Sequence, residues 1–224
     1  MKNLLVLSII YLIGISLLLI FNELTYRRLG PKGEVTRKFA HFSSVLATIP
    51  FPYIFPSHWY VLVFALLFAI VLFLTQHSKL LGSIHDIGRK SVGSYLLPIA
   101  IYVAFLFADL QENKFIYILP MLILAVCDPM AAILGTNITT HKGRIKIFGK
   151  KFKKTWLGSG LFLLIGFVIS IIALCFHRGV FDFKAFWLAM LLSVVTMVAE
   201  LVSWRGSDNL SIPLSAAIIL VIFL

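Results

Sequence analysis

A single carboxylate, Asp128, lies in an apolar run that extends from Phe115 to Gly135. A charge at this depth costs at least a few kcal/mol unless it is paired or bound to a metal. Mg²⁺ prefers one or two carboxylates together with substrate phosphates, so Mg²⁺ binding is the functional interpretation. A structural ion pair with a buried Lys or Arg is the alternative. Asp128, Ala132 and Gly135 fall at i, i+4 and i+7. This spacing predicts one helix face that carries the carboxylate and otherwise small residues, so that another helix can pack closely against it.

The longest polar interruption, Thr136 to Thr155, follows this run and carries seven basic residues and no acidic one. Lysines such as Lys150 and Lys154 act as point charges toward a polyphosphate. Thr155 is placed to cap the next helix, whose positive dipole end would face the same anion. Attraction of the loop to anionic lipid, worth about 1 kcal/mol per basic residue, is the alternative.

Two further stretches could contact a phosphate group. Arg37, Lys38 and His41 are spaced to share one helix face, which could hold phosphates or a lipid headgroup. A basic membrane anchor with an interfacial histidine is the alternative. The glycine- and serine-rich stretch from His85 to Pro98 could bring a loop close to an anion. Its candidate residues are Ser91, Gly93 and Ser94, and the alternative is an ordinary helix start capped by Ser91 or Ser94.

The last candidate stretch begins with Glu200, which lies inside an apolar segment. Asp208 and Asn209 follow at a tight turn into the final apolar segment. Turn formation and helix capping are the alternative explanation for the Asp-Asn pair. Glu200 has no such ordinary explanation, so it is a candidate for chemistry together with Asp128.

The elements that must position these residues are membrane helices. The chain has 224 residues, of which 60% are hydrophobic and 13% charged, and its mean hydropathy is +1.00. Runs of about 18 or more apolar residues predict membrane spans, and the absence of water in the bilayer favours helices. We therefore predict an all-α polytopic membrane protein with one domain, residues 1–224, and eight spans, or seven. The spans are Leu4–Phe21, Phe39–Phe55, Trp59–Gln76, Gly93–Ala108, Phe115–Gly135, Trp156–Phe176, Ala185–Trp204 and Ser211–Leu224.

The distribution of charge predicts the orientation. The formal net charge is +11, and 16 of the 20 Lys and Arg residues fall in the loops after spans 1, 3, 5 and 7. Basic loops stay in the cytoplasm, so both termini are predicted outside and the candidate residues on the cytoplasmic face. Because the positive-inside rule accounts for the basic residues, we do not predict nucleic acid as a partner. The two cysteines, Cys127 and Cys175, form neither a disulfide framework nor a metal-ligand spacing.

The ordered motifs resemble the CTP-dependent lipid kinases, which include dolichol, phytol and phytyl-phosphate kinases and a CTP-using diacylglycerol kinase. These enzymes are distant relatives of phosphatidate cytidylyltransferase. The resemblance covers residues 34–224, and the ending with Glu200 and Asp208-Asn209 looks closest to the phytol kinase branch. The matching segments are Glu34–His41, Ser91–Tyr95 with Pro98, Asp128–Ala132, Gly149-Lys150, Lys154–Ser159 and Asp208–Leu214.

The resemblance implies CTP as phosphate donor, Mg²⁺ as cofactor, and a lipid alcohol or lipid monophosphate as acceptor. By position, Asp128 would bind Mg²⁺, and Asp208 with Asn209 would complete the metal–nucleotide site. Many members carry an acid where this chain has Leu157, so no acidic role falls there. The residues expected to contact the nucleotide or line its site are Arg37, Lys38, His41, Ser91, Gly93, Ser94, Lys150, Lys154, Thr155, Gly158 and Ser159.

Several alternatives remain open from the sequence. Asp128 or Glu200 could act as the base toward the lipid hydroxyl, with His41 lining the same site, and metal positioning could suffice without a base. A cytidylyltransferase acting on a phospholipid or prenyl phosphate would use similar residues but release pyrophosphate. A non-enzymatic transporter or scaffold would require ionisable residues along a path across the membrane, whereas the acids here lie near one face.

Overall fold

The computed structural model describes residues 2–29, 33–78, 92–137, 144–147 and 150–224. In these ranges the chain is almost entirely helical, and six helices are long and apolar enough to cross a membrane. The predicted all-α polytopic architecture is confirmed. The described elements are α1 (Lys2–Leu29), α2 (Gly33–Thr48), α3 (Phe51–Ile54), α4 (His58–Ser78), α5 (Gly93–Leu110), α6 (Phe115–Asn137), β1 (Arg144–Ile147), β2 (Lys150–Thr155), α7 (Trp156–Arg178), α8 (Phe183–Val202) and α9 (Asp208–Phe223).

Helix α6 lies at the centre of the bundle, where it contacts α2, α5, α7 and α9. Most of its apolar span is buried, whereas the spans of α1 and α4 are largely exposed. Because the exposed side chains of α1 and α4 are apolar, these helices present the surface expected to face lipid. The carboxylate that interrupts α6 is therefore surrounded by helices on several sides.

The helices run in alternating directions, so their ends collect at two opposite ends of the bundle. At one end, the start of α4 meets the end of α5, where the backbone N–H of His58 donates to Asp109 Oδ2 over 3.0 Å. At the other end, the start of α9 meets the start of α5, where Asn209 Nδ2 donates to the carbonyl oxygen of Gly93 over 2.7 Å. We call this second end, where α5 and α9 begin and α6 and α8 finish, the site end.

The predicted second span, Phe39–Phe55, is not one continuous helix. Helix α2 ends at Thr48, and the short α3 begins after Pro50. Proline lacks a backbone donor and disfavours the helical conformation of the residue before it, which explains the break. Helix α9 has 16 residues, fewer than the roughly 20 of an ordinary crossing. The eight-span count and the outside location of both termini stay predictions.

The basic loop contains an antiparallel pair of strands that the sequence analysis did not predict. Arg144 of β1 pairs with Thr155 of β2, and Lys146 pairs with Lys151. The side chain of Ile145 is fully buried. Residues 144–147 alternate polar and apolar, which is the pattern of a half-buried strand, but the many lysines obscured it. The hairpin leads directly into α7 and so fixes the position of the loop's last residues.

Candidate functional site

A buried cluster at the site end joins α2 to α6. Lys38 Nζ lies 2.7 Å from each carboxylate oxygen of Asp128. His41 Nε2 lies 3.6 Å from Asp128 Oδ2, which is longer than a hydrogen bond. All three residues are buried, with Asp128 only 1% exposed. The ion pair that was the alternative explanation for Asp128 is present, and the Mg²⁺ role stays a prediction.

The spacing along α2 explains how this cluster forms. Lys38 and His41 are three residues apart, so both point from one helix face toward α6. Arg37 is half-buried on the same helix. A lysine and a carboxylate that are both desolvated compensate each other, whereas either one alone would be costly to bury. The pair therefore holds the start of α2 against the middle of α6.

A second cluster joins the basic hairpin to α8 and α9. Lys154 Nζ donates to the carboxylate of Glu200 and lies 3.3 Å from Asp208 Oδ2. Burial alone would lower the pKa of Lys154, but the nearby charges of Asp208, Glu200 and Asp128 outweigh burial and raise it above its ordinary value. Lys154 is therefore positively charged at neutral pH and held between two carboxylates.

Both clusters contribute to one pocket of about 360 Å³ at the site end. Lys38, Lys154 and Glu200 line it, together with the end of α6, the start of α7 and the turn before α9. At its edge Trp204 is 65% exposed, and the guanidinium carbon of Arg205 lies 4.3 Å from the centre of the Trp204 ring. The sequence analysis assigned no role to Trp204 or Arg205. Their position directly before the Gly206–Asn209 turn was the available signal.

Close contact between α6 and α7 forms one wall of the pocket. Thr155 Oγ1 accepts a hydrogen bond of 3.1 Å from the backbone N–H of Gly158, which confirms the predicted helix cap. A Cβ added at Gly158 would lie 2.9 Å from the carbonyl oxygen of Ala131, and one at Gly135 would lie 2.7 Å from Thr155 Oγ1. Only glycine permits this approach at both positions. The structure therefore confirms the prediction that a face of α6 with small residues packs closely against another helix.

The start of α5 is tied to the turn that leads into α9. The backbone N–H of Val92 donates to the carbonyl oxygen of Arg205 over 2.9 Å, next to the Asn209–Gly93 hydrogen bond. Val92, not Ser94, is the N-cap residue of α5, and its side chain makes no cap hydrogen bond. Ser94 lies in the first turn. Ser91 and the side chain of Lys150 lie outside the described part of the chain.

Among the buried polar atoms that have no hydrogen-bond partner in the described part of the chain are Glu200 Oε2, Ser159 Oγ and His41 Nε2, all at the site end. Such an atom costs about 1–3 kcal/mol, so each is available to a ligand. Glu200 and Ser159 line the pocket. Among the described residues, no group of three or more His, Cys, Asp or Glu side chains is arranged to hold a metal. A metal here would rest on one or two carboxylates and on ligand oxygens, which fits Mg²⁺.

Comparison with known proteins adds one relative of stated activity. No family model and no solved structure matches this chain. A phytol kinase from Synechocystis sp. is 27% identical to it over 199 residues, which cover 88% of this chain and 82% of the relative. The similarity thus extends along nearly the whole membrane domain. This similarity to a phytol kinase agrees with the ordered motifs, which resemble those of lipid kinases.

Proposed function

We propose that this protein transfers the γ-phosphate of CTP to the hydroxyl group of a membrane-embedded prenol and uses Mg²⁺. The observation that carries the proposal is the pair of buried lysine–carboxylate clusters on one pocket at the ends of membrane helices. A soluble phosphate donor can reach such a pocket from the water, while a lipid alcohol can reach it from the bilayer. The prenol acceptor is supported by the name of the relative, a phytol kinase.

The two lysines of the pocket would stabilise the transferring phosphoryl group. Phosphoryl transfer depends mainly on positioning and on charge stabilisation rather than on covalent chemistry by the protein. Lys38 and Lys154 both line the pocket, and both are fixed by ion pairs to helices. Cations held in place this way need little reorganisation when negative charge spreads over the phosphate oxygens.

The carboxylates supply the opposite charge. Asp128 and Asp208 are the residues that would hold Mg²⁺, and Glu200 of α8 shares Lys154 with Asp208. When bound, Mg²⁺ would neutralise part of the negative charge of the phosphate groups. Glu200 and Asp208 line the pocket together with Lys38 and Lys154, so charges of both signs are available to a metal–nucleotide complex. The unpartnered oxygen of Glu200 and hydroxyl of Ser159 are further contacts for such a ligand.

The proton acceptor for the lipid hydroxyl remains a choice among three groups. Asp128 and Glu200 are buried carboxylates, and the unpartnered Nε2 of His41 lies near Asp128. We infer no single base among them.

The orientation of the pocket in the membrane is also part of the proposal. The excess of basic residues in the loops of the site end supports a cytoplasmic location, where CTP is found.

The test is phosphate transfer by the purified protein in mild detergent. The reaction contains γ-labelled CTP, Mg²⁺ and a panel of prenols, prenyl phosphates and diacylglycerol, with ATP as the competing donor. We expect label in an organic-extractable lipid with CTP and with a prenol. Label released as pyrophosphate would instead identify a cytidylyltransferase. Folded protein that gives neither product with any acceptor would contradict the proposal and favour a transporter or scaffold.

A matched pair of variants ties the activity to the pocket. Glu200→Gln removes a buried charge beside Lys154, whereas Glu112→Gln removes an exposed charge at the opposite end of the bundle. We expect Glu200→Gln to lower turnover by about a hundredfold or more, as for loss of one electrostatic group at a reacting centre. Glu112→Gln should keep wild-type turnover. Equal activity of both variants would show that the pocket is not the reaction site.

A further inference from the structure

An apolar groove lies farther from the site end than the pocket does. It runs between two helix pairs, α1 packed on α2 and α4 packed on α5. Its lining includes Leu12, Thr48, Phe64, Ala65 and Ile101. Leu12 is 39% exposed, so the groove opens sideways toward the surface expected to face lipid. The groove can therefore be entered from the bilayer without passing through the polar pocket.

The dimensions and chemistry of the groove select a thin apolar ligand. Its volume is about 80 Å³, against about 360 Å³ for the polar pocket. Two of the three hydroxyl groups in its wall are already used: Ser16 Oγ donates to the carbonyl oxygen of Leu12, and Thr48 Oγ1 donates to that of Val45, each over 2.8 Å. A groove of this size with an almost wholly apolar lining suits a segment of a hydrocarbon chain and is too small for a headgroup.

Helix α2 connects the groove to the buried ion pair. His41, Ser44 and Thr48 fall at i, i+3 and i+7 and so lie along one helix face, with Ser44 about 4.5 Å beyond His41 along the axis. Ser44 and Thr48 line the groove, while His41 lies beside Asp128. Lys38, on the other side of His41, lines the polar pocket. The Lys38–Asp128–His41 cluster thus lies between a pocket for phosphates and a groove for a chain.

We propose that this groove binds the hydrocarbon chain of the acceptor lipid alcohol and so places its hydroxyl group beside Asp128 and His41. The inference rests on the proposed kinase function, because it takes the acceptor to be a membrane alcohol. The groove walls α2 and α5 both begin at the site end, so a chain lying between them can extend its polar end toward the pocket. The groove then contacts a defined segment of the chain, and a change in its wall should affect long and short alcohols differently.

A matched pair of tryptophan variants tests the groove by substrate length. Ala65 lines the groove, and its neighbour Leu66 lies outside the lining and is 55% exposed. Geraniol, farnesol and geranylgeraniol serve as acceptors with CTP. We expect Ala65→Trp to raise the ratio of KM for geranylgeraniol to KM for geraniol by about tenfold, which is the effect of displacing roughly two buried CH₂ groups. Leu66→Trp should keep the wild-type ratio.

Photocrosslinking of the wild-type protein provides a readout that needs neither turnover nor a variant. A farnesol analogue with a terminal diazirine is the probe, and the labelled peptides are mapped by mass spectrometry. We expect label on α1, α4 and α5, removed by excess geranylgeraniol but not by phospholipid. If phospholipid removed the label as well as geranylgeraniol does, the groove would bind lipids in general, and the proposal would be overturned.

The two readouts separate failure of the groove from failure of the kinase assignment. An active wild-type protein for which Ala65→Trp and Leu66→Trp give the same chain-length ratio would overturn the groove and leave the kinase standing. Specific crosslinking in the groove by a protein that phosphorylates no alcohol would overturn the kinase assignment and support a chain-binding site.

Discussion

Lys38 and Asp128 show how one pair of side chains can have both a structural and a chemical role. The pair is buried, and Asp128 is only 1% exposed. A buried pair contributes little compared with an apolar replacement, yet removal of one partner leaves an uncompensated charge. Loss of activity in a single Asp128 variant therefore cannot by itself separate loss of a ligand from loss of the fold. A double replacement makes that separation.

We expect Asp128→Leu alone to destabilise the protein by about 3–5 kcal/mol, because Lys38 would remain buried and unpaired. The double variant Lys38→Met with Asp128→Leu should recover much of the thermal stability in detergent. Turnover should stay at least about a hundredfold below wild type in both. A double variant that regained wild-type turnover would show that the pair only supports the fold.

Lys154 gives a prediction about pH. Its pKa is raised because the attraction of Asp208, Glu200 and Asp128 exceeds the effect of burial. A raised pKa in the folded state stabilises the fold fully below the ordinary lysine pKa of about 10.4, and this stabilisation is lost as pH rises through the folded value. The difference in unfolding temperature between wild type and Lys154→Met should be constant from about pH 7 to about pH 9. A difference that grows across this range would mean that burial outweighs the attraction of the carboxylates and that the pKa of Lys154 is lowered.

Among the elements, α6 and α7 depend on glycine where they meet. Gly135 and Gly158 bring the two backbones together, and Thr155 lies in the same contact. This contact fixes the start of α7, and with it the approach of β2, against the end of α6. The position of Lys154 in the pocket is therefore set by the packing of Gly158, four positions along the chain, against α6.

Gly158→Ala and Gly160→Ala form a matched pair in the first turns of α7. A Cβ at Gly158 would lie 2.9 Å from the carbonyl oxygen of Ala131, whereas one at Gly160 would meet nothing within 4 Å. We expect Gly158→Ala to destabilise by about 1–3 kcal/mol through overpacking. Gly160→Ala should be neutral or stabilise by about 0.5–1 kcal/mol through helix propensity. Thermal unfolding in detergent measures both, and equal shifts would show that the α6–α7 contact is not tight.

For the whole molecule, the candidate residues collect at one end of the bundle because adjacent helices alternate in direction. Glu112 and Lys114 lie at the opposite end, in the turn between α5 and α6. Trp204 lies at the site end and is exposed at the edge of the pocket. The positive-inside rule assigns the site end to the cytoplasm. That assignment can be tested without any assay of activity.

Single cysteines report which end faces the cytoplasm. In a chain with Cys127→Ala and Cys175→Ala, we add either Lys114→Cys or Trp204→Cys. A membrane-impermeant maleimide applied to intact cells should label position 114 and leave position 204 unlabelled. Permeabilised cells provide the control, in which both positions should react. The reverse pattern in intact cells would place the pocket outside and contradict a cytoplasmic CTP-binding site.

Features that depend on neighbours along the chain were predictable. The apolar runs predicted a helical membrane protein. The spacing of Asp128, Ala132 and Gly135 predicted a helix face that allows close packing, and Thr155 was recognisable as a helix cap. Local signals failed in two places. Pro50 divides the predicted second span, and the alternation at residues 144–147 forms a strand, although lysines surround it.

The sequence by itself determined which residues are chemically unusual, because a carboxylate or lysine in an apolar context is costly wherever the chain folds. Only the tertiary structure decided how they pair. Lys38 meets Asp128 across 90 residues, and Lys154 meets Glu200 and Asp208 across 46 and 54 residues. Such partners are chosen by how α2, α6, α8 and α9 pack, and helix packing has no short-range signature. The pocket and the adjoining groove are products of that packing.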